Sequence, residues 1–202
     1  MHITLGSQSP RRRELMSGLD IPFKSIVIDA DESYPSELQG GEIPSYISRA
    51  KAKAYQPRLQ EDELLITADT IVWLPEAGGG MMLGKPRDED EACEMLRMLS
   101  GRVHQVFTGV TFTRREASGS CQMETIVDKT DVRFRKLKEE EIQWYVKKYR
   151  PLDKAGAYGV QEWIGYVGVD GINGSYYNVM GLPIERVYEY LVARLGLSVG
   201  EE

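Results

Sequence analysis

The length, composition and charge of the chain narrow its fold class and its ligands. It has 202 residues, of which 42% are hydrophobic, and this is enough to bury the core of one domain. The formal net charge of -6 argues against a general nucleic-acid binder, which would need a basic surface.

The first elements of the chain combine a strand with an arginine-rich helix start. Residues 3–5 are apolar and predict a strand, Ser9 is a favourable N-cap, and Pro10 stands at the first helical position. Residues 11–13 place three arginines in the first turn, where the helix macrodipole disfavours cations. This pattern indicates a bound anion such as phosphate. The alternative is a surface helix whose arginines pair with acidic neighbours.

A strand and a second helix follow. Residues 23–28 are rich in β-branched and aromatic side chains, predict a strand, and lead into an acidic loop that contains Glu32. A helix is predicted to begin at Pro44, with an apolar face made of Tyr46, Ile47, Ala50 and Ala54. Lys53 borders this face, where a long side chain can reach inward while its stem is covered.

The most strand-like segment is residues 64–74. Its near-continuous apolar run is typical of a central strand that is covered on both faces. Asp69 lies in the middle of this run, and a buried carboxylate must be neutral, paired or metal-bound. Asp69 is therefore a candidate functional residue. The alternative is an Asp at a bulge between two shorter strands, satisfied by backbone N–H groups.

The remaining elements interleave strands and helices. Further helices are predicted to begin at Asp88, Lys138 and Pro183. Strands are predicted at residues 103–113, 125–137, 163–169, 171–175 and 176–180, with a Gly/Ala-rich loop over residues 152–161. Because the two kinds of element alternate and the central strands are hydrophobic, the predicted fold class is α/β.

Cysteine usage and hydropathy favour a cytoplasmic location. Cys93 and Cys121 have no metal-type spacing and are expected to be reduced. His2 and His104 are too far apart in sequence to suggest a histidine metal site. We expect no signal peptide and no association with a membrane, because no apolar window reaches the length of about 18 residues that a spanning helix needs.

Basic and acidic side chains in the loops suit the hydrolysis of a phosphoanhydride. The cationic groups that could neutralise phosphates are Arg11, Arg12, Lys53 and Lys85. Glu32 and Asp69 could hold a divalent cation or activate water. Carboxylates without Cys or His nearby favour magnesium or manganese over zinc. The sequence has neither a Walker pattern nor a Gly-x-Ser-x-Gly nucleophile elbow.

Six short motifs occur in a fixed order between residues 3 and 185. They are Ser7-x-Ser9-Pro10-Arg11-Arg12-x-Glu14-Leu15, Ala68-Asp69-Thr70-Ile71-Val72, Gly84-Lys85-Pro86-Arg87-Asp88, Leu99-Ser100-Gly101-x-x-His104-x-Val106-x-Thr108, Leu152-Asp153-Lys154-Ala155-Gly156-Ala157-Tyr158-Gly159-Val160-Gln161 and Asn173-Gly174-Ser175-Tyr176. Together they resemble the Maf family of nucleotide pyrophosphatases, also known as septum-formation inhibitor Maf-like proteins.

The resemblance implies an elongated mixed-sheet fold related to the inosine triphosphate pyrophosphatases. It implies a single domain over residues 1–202 with two lobes around a central cleft. It also implies cleavage of a nucleoside triphosphate between the α and β phosphates, with Mg²⁺ or Mn²⁺ as cofactor. Asp69 would activate water, and Glu32 with Asp69 would hold the metal. Residues implied to bind phosphate are Ser7, Arg12, Lys53 and Lys85. The assembly expected of the family is a homodimer.

Three positions match the family branch that acts on dTTP and UTP, and they are Arg11, Thr70 and Gln161. An amide such as Gln161 can donate to O4 and accept from N3–H of uracil or thymine. Two alternatives stay open: a nucleotide-binding regulator of cell division without essential catalysis, and a 7-methyl-GTP pyrophosphatase. The sequence does not choose among dTTP, UTP and modified pyrimidine nucleotides as the physiological substrate.

Overall fold

The computed structural model describes residues 1–116 and 118–196, and over this part of the chain it contains one seven-stranded mixed sheet. The strands are β1 (His2–Gly6), β2 (Phe23–Ile26), β3 (Glu63–Glu76), β4 (Gly79–Leu83), β5 (Val103–Arg115), β6 (Cys121–Phe134) and β7 (Val169–Asn173). Their order is β2-β1-β3-β5-β6-β7, and β4 pairs with β3 outside this path. Strand β1 runs parallel to β2 and β3, whereas the other pairs are antiparallel. The predicted α/β fold class is confirmed.

The helices occupy the segments between these strands. They are α1 (Pro10–Ser17), α2 (Glu42–Tyr55), α3 (Glu89–Leu99), α4 (Glu139–Tyr149), α5 (Trp163–Gly168), α6 (Tyr176–Met180) and α7 (Ile184–Leu195). Short 3-10 turns lie at Gln56–Arg58 and Ala155–Ala157. Helix α1 begins as predicted, because the Ser9 hydroxyl accepts a hydrogen bond from the Arg12 backbone N–H at 3.4 Å. Among the described residues, no helix is long and apolar enough to cross a membrane.

Two predicted strands are wrong. Residues 163–169 mostly form helix α5, and residues 176–180 form helix α6. Helix α6 is capped at both ends, since the Ser175 hydroxyl accepts from the Asn178 N–H at 3.3 Å and Gly181 ends the helix with φ 119°. On the side of β6 away from β5, the pairing strand is β7, which overlaps the predicted strand at residues 171–175 only in part. In α6, this capping outweighs the β-propensity of the aromatic residues.

The core divides along the central strand β3. One buried cluster includes Ala68 and packs under α1 and α7, whereas another includes Val72 and packs under α3 and α4. Asp69 lies between these two positions and points to the opposite face of the sheet, where α2 lies. The β3–β5 ladder runs without a break from Leu64 to Trp73 and pairs Asp69 with Gly109. The bulge that was the alternative account of Asp69 is therefore absent from this ladder.

Gly109 allows α2 to approach the sheet opposite Asp69. A Cβ at this position would lie 2.5 Å from both the carbonyl carbon and the oxygen of Pro44, and 2.6 Å from the Ser45 nitrogen. These are backbone atoms, so the helix could not stay where it is if Gly109 carried a side chain. The close packing brings the inner face of α2 against the middle of β3.

Candidate active site

A cavity of about 560 Å³ opens at the point where the core divides. Its walls include the loop after β1 with the start of α1, the loop after β2, helix α2, the middle of β3, the end of β4 and the loop before α5. The site residues predicted from the sequence that line it are Ser7, Arg11, Arg12, Glu32, Asp69, Thr70, Lys85 and Gln161. The chain thus gathers charges of both signs from distant segments into one cavity.

Lys53 is the one predicted site residue that does not line this cavity. Its side chain is exposed on α2, and the expectation that it reaches inward is corrected here. Lys51 takes the inward position instead, with 12% of its side chain exposed. The reason is the helix phase: Ile47, Ser48 and Ala52 form the buried face of α2, and Lys51 shares that face.

Lys51 links two carboxylates in the cavity. Its Nζ lies 2.8 Å from Asp69 Oδ1 and 3.0 Å from Glu32 Oε1. Asp69 is mostly buried, with 14% of its side chain exposed, whereas Glu32 is half exposed. Partial burial acts to raise the pKa of Glu32, but the hydrogen bond from Lys51 and the charges of Lys51, Lys85 and Arg12 outweigh it, so the net pKa is lowered. Both carboxylates therefore meet one ammonium group at the cavity wall.

Arg12 binds the residues on both sides of Asp69. Its guanidinium donates to the Ala68 carbonyl at 2.9 Å, to the Thr70 hydroxyl at 2.8 Å and to the Gly181 carbonyl at 2.7 Å. Burial lowers the pKa of Arg12, while the charge of Asp69 acts to raise it. An arginine remains charged in proteins, so Arg12 supplies positive charge to the cavity while it positions the strand that carries Asp69.

The Thr70 hydroxyl is occupied by protein groups. Besides Arg12, it contacts the Thr108 hydroxyl at 2.9 Å and the Gly181 carbonyl at 3.2 Å. Because a hydroxyl has one donor and two acceptor lone pairs, these three contacts use its hydrogen-bonding capacity. Thr70 thus supports Arg12 in this structure.

Ser7 and Lys85 complete the phosphate-binding residues predicted from the sequence. Ser7 is buried next to the start of α1, and its hydroxyl accepts from the Ser9 N–H at 3.2 Å. Lys85 follows β4 and is exposed at the rim of the cavity. Ser7 is a neutral donor next to a helix N-terminus and Lys85 is an exposed cation, and phosphate oxygens accept from both types.

The loop before α5 contributes Asp153 and Lys154, which the sequence did not single out as site residues. Asp153 Oδ2 accepts from Arg11 Nη1 at 3.1 Å, and its other oxygen lies 2.7 Å from Lys154 Nζ. Burial acts to raise the pKa of Asp153, but the hydrogen bonds and charges of Lys154 and Arg11 lower it overall. The sequence signals for Asp153 and Lys154 were their place in the predicted loop over residues 152–161 and in the motif that runs from Leu152 to Gln161.

Gln161 presents an unpaired acceptor at the cavity. Its Oε1 atom is buried and has no hydrogen-bond partner within residues 1–116 and 118–196. A buried, unpaired amide oxygen costs free energy unless a ligand satisfies it. The position therefore suits a ligand that carries an N–H donor.

Comparisons with known proteins place the chain in a family. A family model described as Maf-like protein matches residues 2–194. The chain belongs to the Maf-like protein family. This Maf-like protein is 58% identical to a dTTP/UTP pyrophosphatase of Bacteroides thetaiotaomicron over 92% of each chain. It is 53% identical to a protein of the same name from Parabacteroides distasonis over 94% of each chain. Among solved structures, it is similar to the Ham1 protein of Staphylococcus aureus, with a TM-score of 0.48 and 10% identity over 66% of this chain and 72% of that one.

Proposed function

We propose that this Maf-like protein is a nucleoside triphosphate pyrophosphatase that hydrolyses dTTP and UTP between the α and β phosphates. The products are the nucleoside monophosphate and pyrophosphate. The observation that carries the proposal is the pairing of Asp69 with Lys51 inside a cavity that also holds Arg11, Arg12 and Lys85. The names of the two relatives, at 58% and 53% identity, give the same nucleotides.

Asp69 is the proposed general base. Its carboxylate is held in one direction, since Arg12 binds the peptide carbonyl before it and the hydroxyl after it. A fixed carboxylate can accept a proton from water as that water attacks phosphorus. Lys51 stabilises the ionised carboxylate that takes part in this step, and from its place in the cavity wall its ammonium would also contact a phosphate oxygen of the substrate.

Glu32 and Asp69 are the proposed metal ligands. Lys51 Nζ pairs with one oxygen of each carboxylate, Asp69 Oδ1 at 2.8 Å and Glu32 Oε1 at 3.0 Å, so the second oxygen of each is the one that would bind a cation. Two carboxylates plus substrate phosphates match the way Mg²⁺ is usually bound, and no larger cluster is needed. When bound there, the cation would neutralise phosphate charge and favour ionisation of water. Among the described residues, no group of three or more His, Cys, Asp or Glu side chains could hold a metal.

The triphosphate is proposed to lie between the N-terminus of α1 and the rim of the cavity. Ser7, Lys85 and the first turn of α1 offer donors on that side. Lys51 adds positive charge to the same space. This charge offsets the negative charge of the triphosphate before and during cleavage.

Gln161 is the proposed reader of the base. Its buried Oε1 would accept from N3–H of uracil or thymine, and its amide N–H would donate to O4. Cytosine offers an acceptor at N3, so the same oxygen would meet a lone pair. Each unpaired buried group costs roughly 1–3 kcal/mol, which favours UTP and dTTP over CTP.

A nucleotide panel tests the proposed function. The protein is incubated with UTP, dTTP, CTP, GTP, ATP and 7-methyl-GTP in the presence of Mg²⁺ or Mn²⁺, and the products are resolved by chromatography. We expect UMP or dTMP and pyrophosphate to form in equal amounts, with UTP and dTTP preferred. Release of orthophosphate and a nucleoside diphosphate would contradict α–β cleavage. Preference for 7-methyl-GTP would overturn the substrate assignment, and absence of turnover would favour a nucleotide-binding regulator.

A further inference from the structure

A chain of alternating charges leads from the cavity rim into the protein. Asp153 bridges Arg11 and Lys154, and Lys154 Nζ lies 3.0 Å from Glu162 Oε1. Glu162 in turn accepts a hydrogen bond from the Tyr145 hydroxyl through its other oxygen. Each carboxylate therefore uses both of its oxygens, and each is held at two points.

The members of this chain differ in burial. Only 9% of the Lys154 side chain is exposed, whereas 60% of the Asp153 side chain is exposed. A surface aspartate would normally sample several rotamers, but this one has a buried ammonium on one oxygen and a guanidinium on the other. Asp153 is thus an exposed group with a fixed position.

Arg11 depends on Asp153 for its orientation. In the part of the chain that the structure describes, its guanidinium has one hydrogen bond, the 3.1 Å contact with Asp153. An arginine has five N–H donors, so others remain available toward the cavity that Arg11 lines. Arg12, by contrast, is fixed by three protein acceptors.

We propose that Asp153 is a positioning residue for substrate selection, which holds the guanidinium of Arg11 in the orientation that meets the nucleotide. Lys154 and Glu162 anchor Asp153 from the protein side. The proposal rests on the proposed function, because it takes Arg11 as a residue that contacts the pyrimidine base of UTP or dTTP. Asp153 itself need not touch the substrate.

The test is Asp153→Asn, measured as kcat and KM for UTP and CTP. The loss of one partly exposed ion pair should raise KM for UTP and lower the UTP-to-CTP ratio of kcat/KM by roughly two- to fivefold. The kcat for UTP should stay within about twofold, because removing uniform binding raises KM alone. The matched control is Asp170→Asn, which breaks a similar surface pair with Arg133 at 2.7 Å, away from the cavity, and it should change neither parameter.

A double-mutant comparison separates positioning from a general structural effect. In an Arg11→Ala background, Asp153→Asn should cause no further loss of affinity for UMP, measured by calorimetry. It should also cause no further rise in KM for UTP. An equal loss in both backgrounds would show that Asp153 does not act through Arg11 and would overturn the proposal. If the wild-type enzyme prefers UTP over CTP and the Asp153→Asn variant keeps that preference, this proposal alone is overturned. A wild-type protein that does not hydrolyse UTP would overturn the proposed function, and this inference with it.

Discussion

Lys51 and Lys53 provide a matched pair of variants on one helix. Replacement of each by Met keeps most of the length of the side chain and removes the ammonium group, with its charge and its N–H donors. Lys51 contacts Asp69 at 2.8 Å and Glu32 at 3.0 Å from a position that is 12% exposed, whereas Lys53 is exposed and outside the cavity. We expect Lys51→Met to impair activity strongly and Lys53→Met to leave it within about twofold.

The expected losses of kcat and stability in Lys51→Met follow from the contacts of Lys51 with Asp69 and Glu32. Removing one preorganised donor that acts on the transition state costs roughly 10²- to 10³-fold in kcat, or about 3–4 kcal/mol. Loss of the ammonium also leaves Asp69 mostly buried without its nearest counter-charge, for which we expect about 1–3 kcal/mol of lost stability. The effect on kcat should therefore exceed any effect that unfolding could explain at the assay temperature.

The assay is steady-state UTP hydrolysis with Mg²⁺, together with urea unfolding of each variant. Wild-type protein and Lys53→Met should give closely similar kcat values and unfolding midpoints. If both variants lose activity to the same degree, the helix phase described here is wrong. If Lys51→Met keeps more than half of the wild-type kcat, Lys51 has no part in catalysis.

Three further predictions concern packing, base selection and pH. Gly109→Ala should lower the free energy of unfolding by roughly 1–3 kcal/mol, because its Cβ would overlap the Pro44 backbone; an unchanged urea midpoint would contradict the close approach of α2. Gln161→Ala should reduce kcat/KM for UTP by about tenfold and that for CTP by less, so a constant UTP-to-CTP ratio would rule Gln161 out as the reader of the base. Because the folded pKa of Glu32 lies below its ordinary value of 4.5, its ionised form stabilises the protein above that pH, and the stability is lost as the pH falls through the folded pKa. The difference in melting temperature between wild type and Glu32→Gln should accordingly shrink from neutral pH to below 4.5, and a difference independent of pH would refute this.

Much of the fold and part of the site follow from local sequence patterns. The Ser9-Pro10 start of α1 and the apolar run around Asp69 depend on capping and burial, which act over a few residues. The helix phase of α2 was harder to predict, because the pattern counted Tyr46 as inward although it is 43% exposed. Ser48 is buried instead, and its hydroxyl lies 2.9 Å from the Thr111 hydroxyl. A polar residue that is buried through a distant partner leaves no hydrophobic signal.

The features of the site that the sequence did not predict depend on contacts between segments that are distant along the chain. Arg12 was expected to bind phosphate directly, but its guanidinium binds Ala68, Thr70 and Gly181, which lie far along the chain. Asp153 meets Arg11 across 142 positions of sequence. Neither pairing can be derived from spacing along one chain, because it depends on how β3, α6 and the loop before α5 pack around α1. The direct role of Arg12 toward phosphate stays a prediction.

The most direct test of the central claim is the turnover of Asp69→Asn with UTP and Mg²⁺. The substitution keeps the size of the side chain and removes its ability to accept a proton from water. We expect UMP formation to fall by roughly 10²- to 10⁴-fold, while UTP still binds with an affinity close to that of the wild type in calorimetry. UMP and pyrophosphate formation within tenfold of the wild-type rate would contradict the assignment of Asp69 as the base.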